Sequence, residues 1–219
     1  MPKTVEKKRT RLSPEVRKSM ILERAAELIA VEGVSAVNMD RIGREIGASK
    51  ALVYSYFASP TELLQTLLLH EYKHLRALQL EAAESAETFE QLVRRITNVY
   101  LSYIEDRGLI LDRLAAEPSV ADHGDPTAFS RDTSRIYLGN IFAETFGVDP
   151  EIALGAVDIS FGLPAAAGNL LSKSNLSRDT IEDLTVTMII GSLDSVRNNY
   201  ETAFKRLKGR STFDQKKPG

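Results

Sequence analysis

Residues 38–57 read Asn-Met-Asp-Arg-Ile-Gly-Arg-Glu-Ile-Gly-Ala-Ser-Lys-Ala-Leu-Val-Tyr-Ser-Tyr-Phe, the pattern of two short helices around one tight turn. Ile42 and Ile46, a helical turn apart, give the first helix an inward face. Gly47 ends it, because glycine reaches the left-handed conformation of a helix terminus without steric cost. Ser49 then caps a second helix that turns Leu52, Val53, Tyr56 and Phe57 inward and leaves Lys50, Ala51, Tyr54 and Ser55 outside. A short helix, a glycine turn and a helix with a small, polar, aromatic-tipped outer face make a helix-turn-helix that fits the DNA major groove. On that face Lys50 can donate to guanine O6 and N7, Ala51 or Leu52 can touch a thymine methyl, and Ser55 is close enough to discriminate bases. Asn38, Ser49, Tyr54, Tyr56 and Ser59 complete the expected DNA-facing set, several of them as phosphate ligands.

Charge is distributed to match. Over residues 1–60 there are 11 Lys and Arg against 7 Asp and Glu; over 61–204 there are 11 against 22; over 205–219 there are 6 against 1. A basic first segment on an acidic body suits a chain whose N-terminal part alone meets a polyanion. Lys7, Lys8, Arg9 and Arg11 read as a basic arm for phosphate or minor-groove contacts.

The whole chain has 219 residues, 43% hydrophobic and 26% charged, an ordinary globular balance with room for one or two domains. No apolar run is expected to approach the ~20 residues that span a bilayer, and no membrane partner is expected. The N-terminus lacks the apolar stretch of a secretory signal. Cysteine is absent, which excludes disulfides and thiol chemistry, and a cytoplasmic location is the default expectation.

Strand signals are almost missing and helical periodicity runs nearly throughout, so the expected fold is all-α with about nine helices. Ser13-Pro14-Glu15 opens the first, whose stripe is Val16, Met20, Ala25, Leu28 and Ile29, ended by Gly33. Ser59-Pro60-Thr61-Glu62 is a capping box for a long helix to about Glu84. Helices are expected over 89–107 and, separately, 109–116, with a loop at 118–126. Further helices follow over 127–146, over 150–172 with a kink at Gly162 and Pro164, and from about 177 onward. The expected division is a basic arm at 1–12, a helix-turn-helix head at 13–64, a helical body at 65–207 and a basic tail at 208–219.

Residues of about 16–64 resemble the DNA-binding head of the TetR family of transcriptional regulators. The resemblance rests on Ile21–Gly33, Met39–Ser49, Val53–Phe57 and Glu62–Leu64, in this order and spacing. It implies a homodimeric all-α regulator, usually a repressor, that binds double-stranded DNA and whose larger body takes a small-molecule effector. One departure is plain: where family members commonly carry lysines just after the aromatic pair, this chain has Ala58 and Pro60. Phosphate anchoring should therefore shift toward the arm and backbone amides. The resemblance raises Tyr100, Tyr103, Leu111, Phe129, Thr133, Tyr137, Phe161 and Asn169 as candidate lining of an effector cavity. Few Arg or Lys fall on those faces, which favours an apolar or weakly polar ligand. Gly155, Gly162 and Ala166, with Leu193, Val196 and Tyr200, are the candidate two-fold interface, since both helices look too apolar for one chain to cover.

His70-Glu71-Tyr72-Lys73-His74 matches H-E-x-x-H, two imidazoles and a carboxylate on one helical face as in zinc hydrolases. Lys73 stands where such helices are apolar, and the remaining histidine, His123, is about fifty residues on. The motif reads as helix packing; no metal, cofactor or enzymatic activity is expected. No phosphate-binding glycine loop or nucleophile elbow is present. A helical adaptor without DNA affinity is the other alternative.

Overall fold

The computed structural model describes residues 12–121 and 128–199, the side chains of 121 and 128–131 excepted. The expected arm, the tail, His123, Tyr200 and the Phe129 side chain lie outside the described residues. Helices are α1 (Pro14–Glu32), α2 (Met39–Glu45), α3 (Lys50–Tyr54), α4 (Pro60–Glu84), α5 (Phe89–Ala115), α6 (Pro118–Ala121), α7 (Ala128–Phe146), α8 (Pro150–Ser160), α9 (Gly162–Leu171) and α10 (Arg178–Asn199). A 3-10 turn at Val34–Ala36 links α1 to α2, and there is no strand among the described residues. The fold is all-α, and α8 and α9 are the two halves of the kinked helix expected over 150–172.

The helix starts follow capping chemistry. Ser13 Oγ accepts from Val16 N, Asn38 Oδ1 from Asp40 N and Arg41 N, and Asp149 from Glu151 N and Ile152 N. Each satisfies amide donors that the first turn of a helix leaves unpaired. Two expectations need correction. The separate helices at 89–107 and 109–116 are one, because Gly108 stays helical and Ile110, Leu111 and Leu114 are buried beyond it. Part of the expected loop, Pro118–Ala121, is a short helix whose Val120 is buried.

The described chain divides into two compact units, Met1–Glu71 with Leu109–Asp125, and Tyr72–Gly108 with Pro126–Gly219. The head is therefore not the contiguous 13–64 segment: the end of α5 and α6 join it. Arg113 shows why, since its guanidinium donates to the carbonyls of Ile29, at the end of α1, and of Ala30, the latter at 3.0 Å. Gln65 Nε2 likewise donates to Ser119 O at 3.0 Å. The bonds to Ala30 O and Ser119 O satisfy C-terminal carbonyls that a helix leaves open, while Ile29 O also accepts from Gly33 N. Ile21, Ile29, Ile42, Val53, Phe57 and Leu63 are buried in this unit. Val16, expected in the α1 stripe, is exposed.

In the second unit α8 lies against α7, and α10 packs on both α8 and α9. Its main core joins Phe142, Val148, Ala153, Val157, Ile189 and Leu193. Phe89, Phe142 and Phe146 add an aromatic trio with centroids 5.2–5.7 Å apart, worth ~0.5–1.5 kcal/mol per pair beyond area burial. Gly168 is buried against Ile104 and Tyr100 of α5. The stretch Pro150–Leu171 is 22 residues with mean hydropathy 1.3, long and apolar enough by composition to cross a bilayer, contrary to the expectation from sequence. Its apolarity has a local cause: one side, with Ala153, Val157 and Ala167, builds the core, while Ile159 on the other side is 82% exposed.

Candidate nucleic-acid interface

The turn between α2 and α3 is closed by backbone geometry. Ala48 N donates to Gly43 O at 2.7 Å and Gly47 N to Arg44 O at 3.2 Å, with Gly47 at φ +68. This is the paired bonding of a glycine helix end. Gly43 makes room for it: a Cβ there would stand 3.0 Å from Ala48 O and 3.3 Å from Lys50 N. Sequence reading singled out Gly47 but missed Gly43, whose need for space arises only once the chain has turned back.

Val53 and Phe57 are fully buried, Leu52 and Tyr56 half-buried, and Lys50, Ala51, Tyr54 and Ser55 exposed, so α3 presents the expected outer face. Lys50 Nζ lies 5.8 Å from the Tyr54 ring centroid, a cation–π contact that steadies the lysine over that face. The polar residues divide by hydrogen-bonding state. Ser49 Oγ accepts from Leu52 N at 3.2 Å and Ser59 Oγ from Glu62 N at 3.1 Å, so each hydroxyl still has a proton to donate. Asn38 spends its carbonyl oxygen on the α2 cap and retains its amide as donor. Ser55 Oγ donates to Leu52 O at 2.7 Å and can only accept from a base edge.

Arg24 and Arg41 of the basic first segment are engaged in pinning α1 to α2. Arg41 binds Glu32 and Glu45, and Arg24 binds Glu27 and Glu45. Hydrogen bonds from Arg24 and then Arg41 hold the Glu45 carboxyl below its ordinary value, and Arg41 does the same for Glu32. The two arginines are engaged within the head and hold α2 against α1.

A family model described as bacterial regulatory proteins, tetR family, matches residues 21–67, the whole of this motif and its approach. Over these residues the chain is similar to the TetR family of regulators. The chain is similar to an HTH-type transcriptional activator, FasR of Mycolicibacterium smegmatis, 27% identical over 116 residues, 51% of this chain and 53% of the relative. It is similar as well to an HTH-type transcriptional repressor, SCO4008 of Streptomyces coelicolor, 27% identical over 92 residues, 42% of this chain and 46% of the relative. The chain thus spans about half the length of the curated relatives it matches. Solved structures extend the likeness in fold. A TetR-family regulator from Streptomyces coelicolor has TM-score 0.66 at 20% identity, covering 91% of this chain and 89% of its own. One from Rhodococcus sp. has TM-score 0.63 at 17% identity, covering 82% and 99%.

The second unit holds a cavity of about 660 Å³, within the usual range of ~300–1,000 Å³ for small-molecule sites. Of the expected lining residues, Tyr100 and Phe161 face it. Tyr103 does not; it is buried beneath His74, ring centroids 5.9 Å apart. Leu111 falls in the first unit, because α5 continues through Gly108. Thr133 and Asn169 are exposed, and Tyr137 lines only an adjoining crevice of about 60 Å³. Gly162 and Leu193, expected at a dimer interface, line the cavity instead, and Leu193 is buried in the chain's own core. Tyr72, Arg76 and Gln79 were missed. Their spacing of one face on α4 was the available signal, hidden because Leu75 and Leu78 dominate the local stripe.

The H-E-x-x-H segment lies on α4 with Glu71 buried and His70 and His74 exposed. Among the described residues, no three His, Cys, Asp or Glu side chains come together as a metal site. A helix places two imidazoles together but does not supply a third ligand.

Proposed function

We propose that the chain is a homodimeric DNA-binding transcriptional regulator, a repressor when bound to a near-palindromic operator and released by a small, largely apolar effector. The observation that carries this reading is the outer face of α3, exposed and steadied by a glycine-closed turn, with Val53 and Phe57 buried behind it. Two such helices related by a two-fold axis would enter major grooves about 34 Å apart. Lys50, Ala51 and Ser55 would read bases; Asn38, Ser49, Tyr54, Tyr56 and Ser59 would hold phosphates, with Leu52 at the edge of the base-reading face.

The two-fold contact is assigned to α8, α9 and α10. Ile159, Ala166, Leu170, Leu184 and Met188 are exposed there, and Gly155 opens onto free space. Such apolar exposure favours a second copy as its cover. Val196 half-packs on the internal core and is peripheral in this assignment. The cavity is the effector site, and release is a population shift in which effector binds more tightly to the conformer that does not fit the operator. A protein that meets chromosomal DNA in this way works in the cytoplasm.

Selection of random duplexes on the purified protein, followed by gel shifts of the recovered site, tests this. Wild type is expected to enrich a two-fold symmetric sequence, and Tyr54→Ala to lose affinity for it. Equal, sequence-independent binding by both proteins would favour the helical adaptor. A reporter carrying the recovered site distinguishes repression from activation.

A further inference from the structure

We propose that the ligand of the second-unit cavity is an apolar monocarboxylate, its carboxylate held by Arg76 and Ser134. This rests on reading the cavity as an effector site and adds the chemical class of the occupant. Most of the wall is apolar, with Leu75, Val93, Ile96 and Ile189 among its residues. Its polar groups include Tyr72, Arg76 and Gln79, which follow one another along α4, and Ser134 of α7, with Thr97, Asp158 and Ser160 elsewhere in the lining. Arg76 Nη1 donates to Ser134 Oγ at 2.8 Å in a partly buried position.

That bond has two consequences. It fixes the plane of the guanidinium against the wall, and a fixed guanidinium fork matches the two oxygens of a carboxylate. Because the serine accepts, its own proton remains to donate to the same anion. Arg76, Gln79 and Ser134 also line the adjoining crevice of about 60 Å³, so the donors border both spaces and a head group fits beside them without displacing the apolar tail. Charge disfavours a dianion. Arg76 and Asp158 are the charged residues among the described lining, one of each sign. A phosphate dianion would bring a second, uncompensated charge into an apolar space.

Calorimetric titration of the full chain with decanoate, decanol, 2-naphthoate and 2-naphthol tests the assignment. Each carboxylate is expected to bind roughly 10- to 100-fold more tightly than its matched alcohol. The aliphatic and aromatic pairs tell which tail the wall prefers. Octanoate should bind about 15-fold more weakly than decanoate, or about fourfold per methylene. In Arg76→Met the carboxylate preference should vanish while decanol affinity and the thermal melt persist; Ser134→Ala should reduce the preference part-way. Equal affinity for decanoate and decanol, no detectable carboxylate binding, or an unchanged preference in Arg76→Met overturns the proposal. Intact carboxylate preference in a protein that selects no DNA site would instead defeat the regulator reading alone.

Discussion

In the proposed two-fold assembly, replacing Ile159 by aspartate should split the dimer without unfolding the protomer. Ile159 is 82% exposed on α8, and Met188, Leu184 and Leu170 on the adjoining helices are exposed by 56%, 49% and 37%. Together these leave the equivalent of roughly two whole aliphatic side chains per protomer in water, where each costs ~1.5–3 kcal/mol relative to burial. Counted on both protomers, that is about 7–13 kcal/mol, comparable with the ~4–15 kcal/mol that association must overcome. Ile159 alone supplies about 2.5–5 kcal/mol of it, because two-fold symmetry uses the residue twice. Ile159→Asp should therefore raise the dimer dissociation constant at least about 70-fold. Sedimentation equilibrium would measure this, with far-UV circular dichroism and thermal melts expected to stay near wild type. Val31→Asp is the control, equally apolar and 78% exposed but on α1. An unchanged dissociation constant in Ile159→Asp, or an equal rise in Val31→Asp, would refute the assignment.

Three further outcomes follow from the first unit and the core. Lys50→Met should weaken binding to the selected site by ~1–3 kcal/mol in fluorescence anisotropy and relax selectivity at one base pair, leaving urea stability unchanged. Phe142→Ala, which empties a fully buried position in the aromatic trio, should cost ~3–5 kcal/mol in urea denaturation. Glu32 and Glu45 titrate below their ordinary 4.5 because arginines hydrogen-bond their carboxylates. Their contribution is thus complete above that value and lost as pH falls through the lower folded values. Acid melts should show this as a loss of stability that is diminished in Glu45→Gln.

The helix-turn-helix was legible because its information is local. Ser13 and Ser49 each bond amides within three residues, so these caps could be read in order along the chain. The inward and outward faces of α3 followed from helical period alone. The cavity was not legible in the same way. Its walls come from α4, α5, α7, α8, α9 and α10, and periodicity cannot tell which of several apolar faces meet. Tyr103 and Tyr100 sit on one helix at nearly the same face, yet one is covered by His74 and the other borders the cavity. Gly108 misled because glycine disfavours helix by only about 1 kcal/mol, less than the burial of Ile110, Leu111 and Leu114 beyond it returns.

Sequence by itself determined the helical class, most helix starts, the glycine turn and the residues that α3 exposes, since caps and periodicity act over one or two turns. Tertiary structure decided that the end of α5 belongs with the head, that Leu193 is core rather than interface, that Ile159 is left uncovered, and that Arg76 reaches an apolar cavity. Each of those depends on which faces pack across long stretches of chain, where burial of shared surface outweighs local preference.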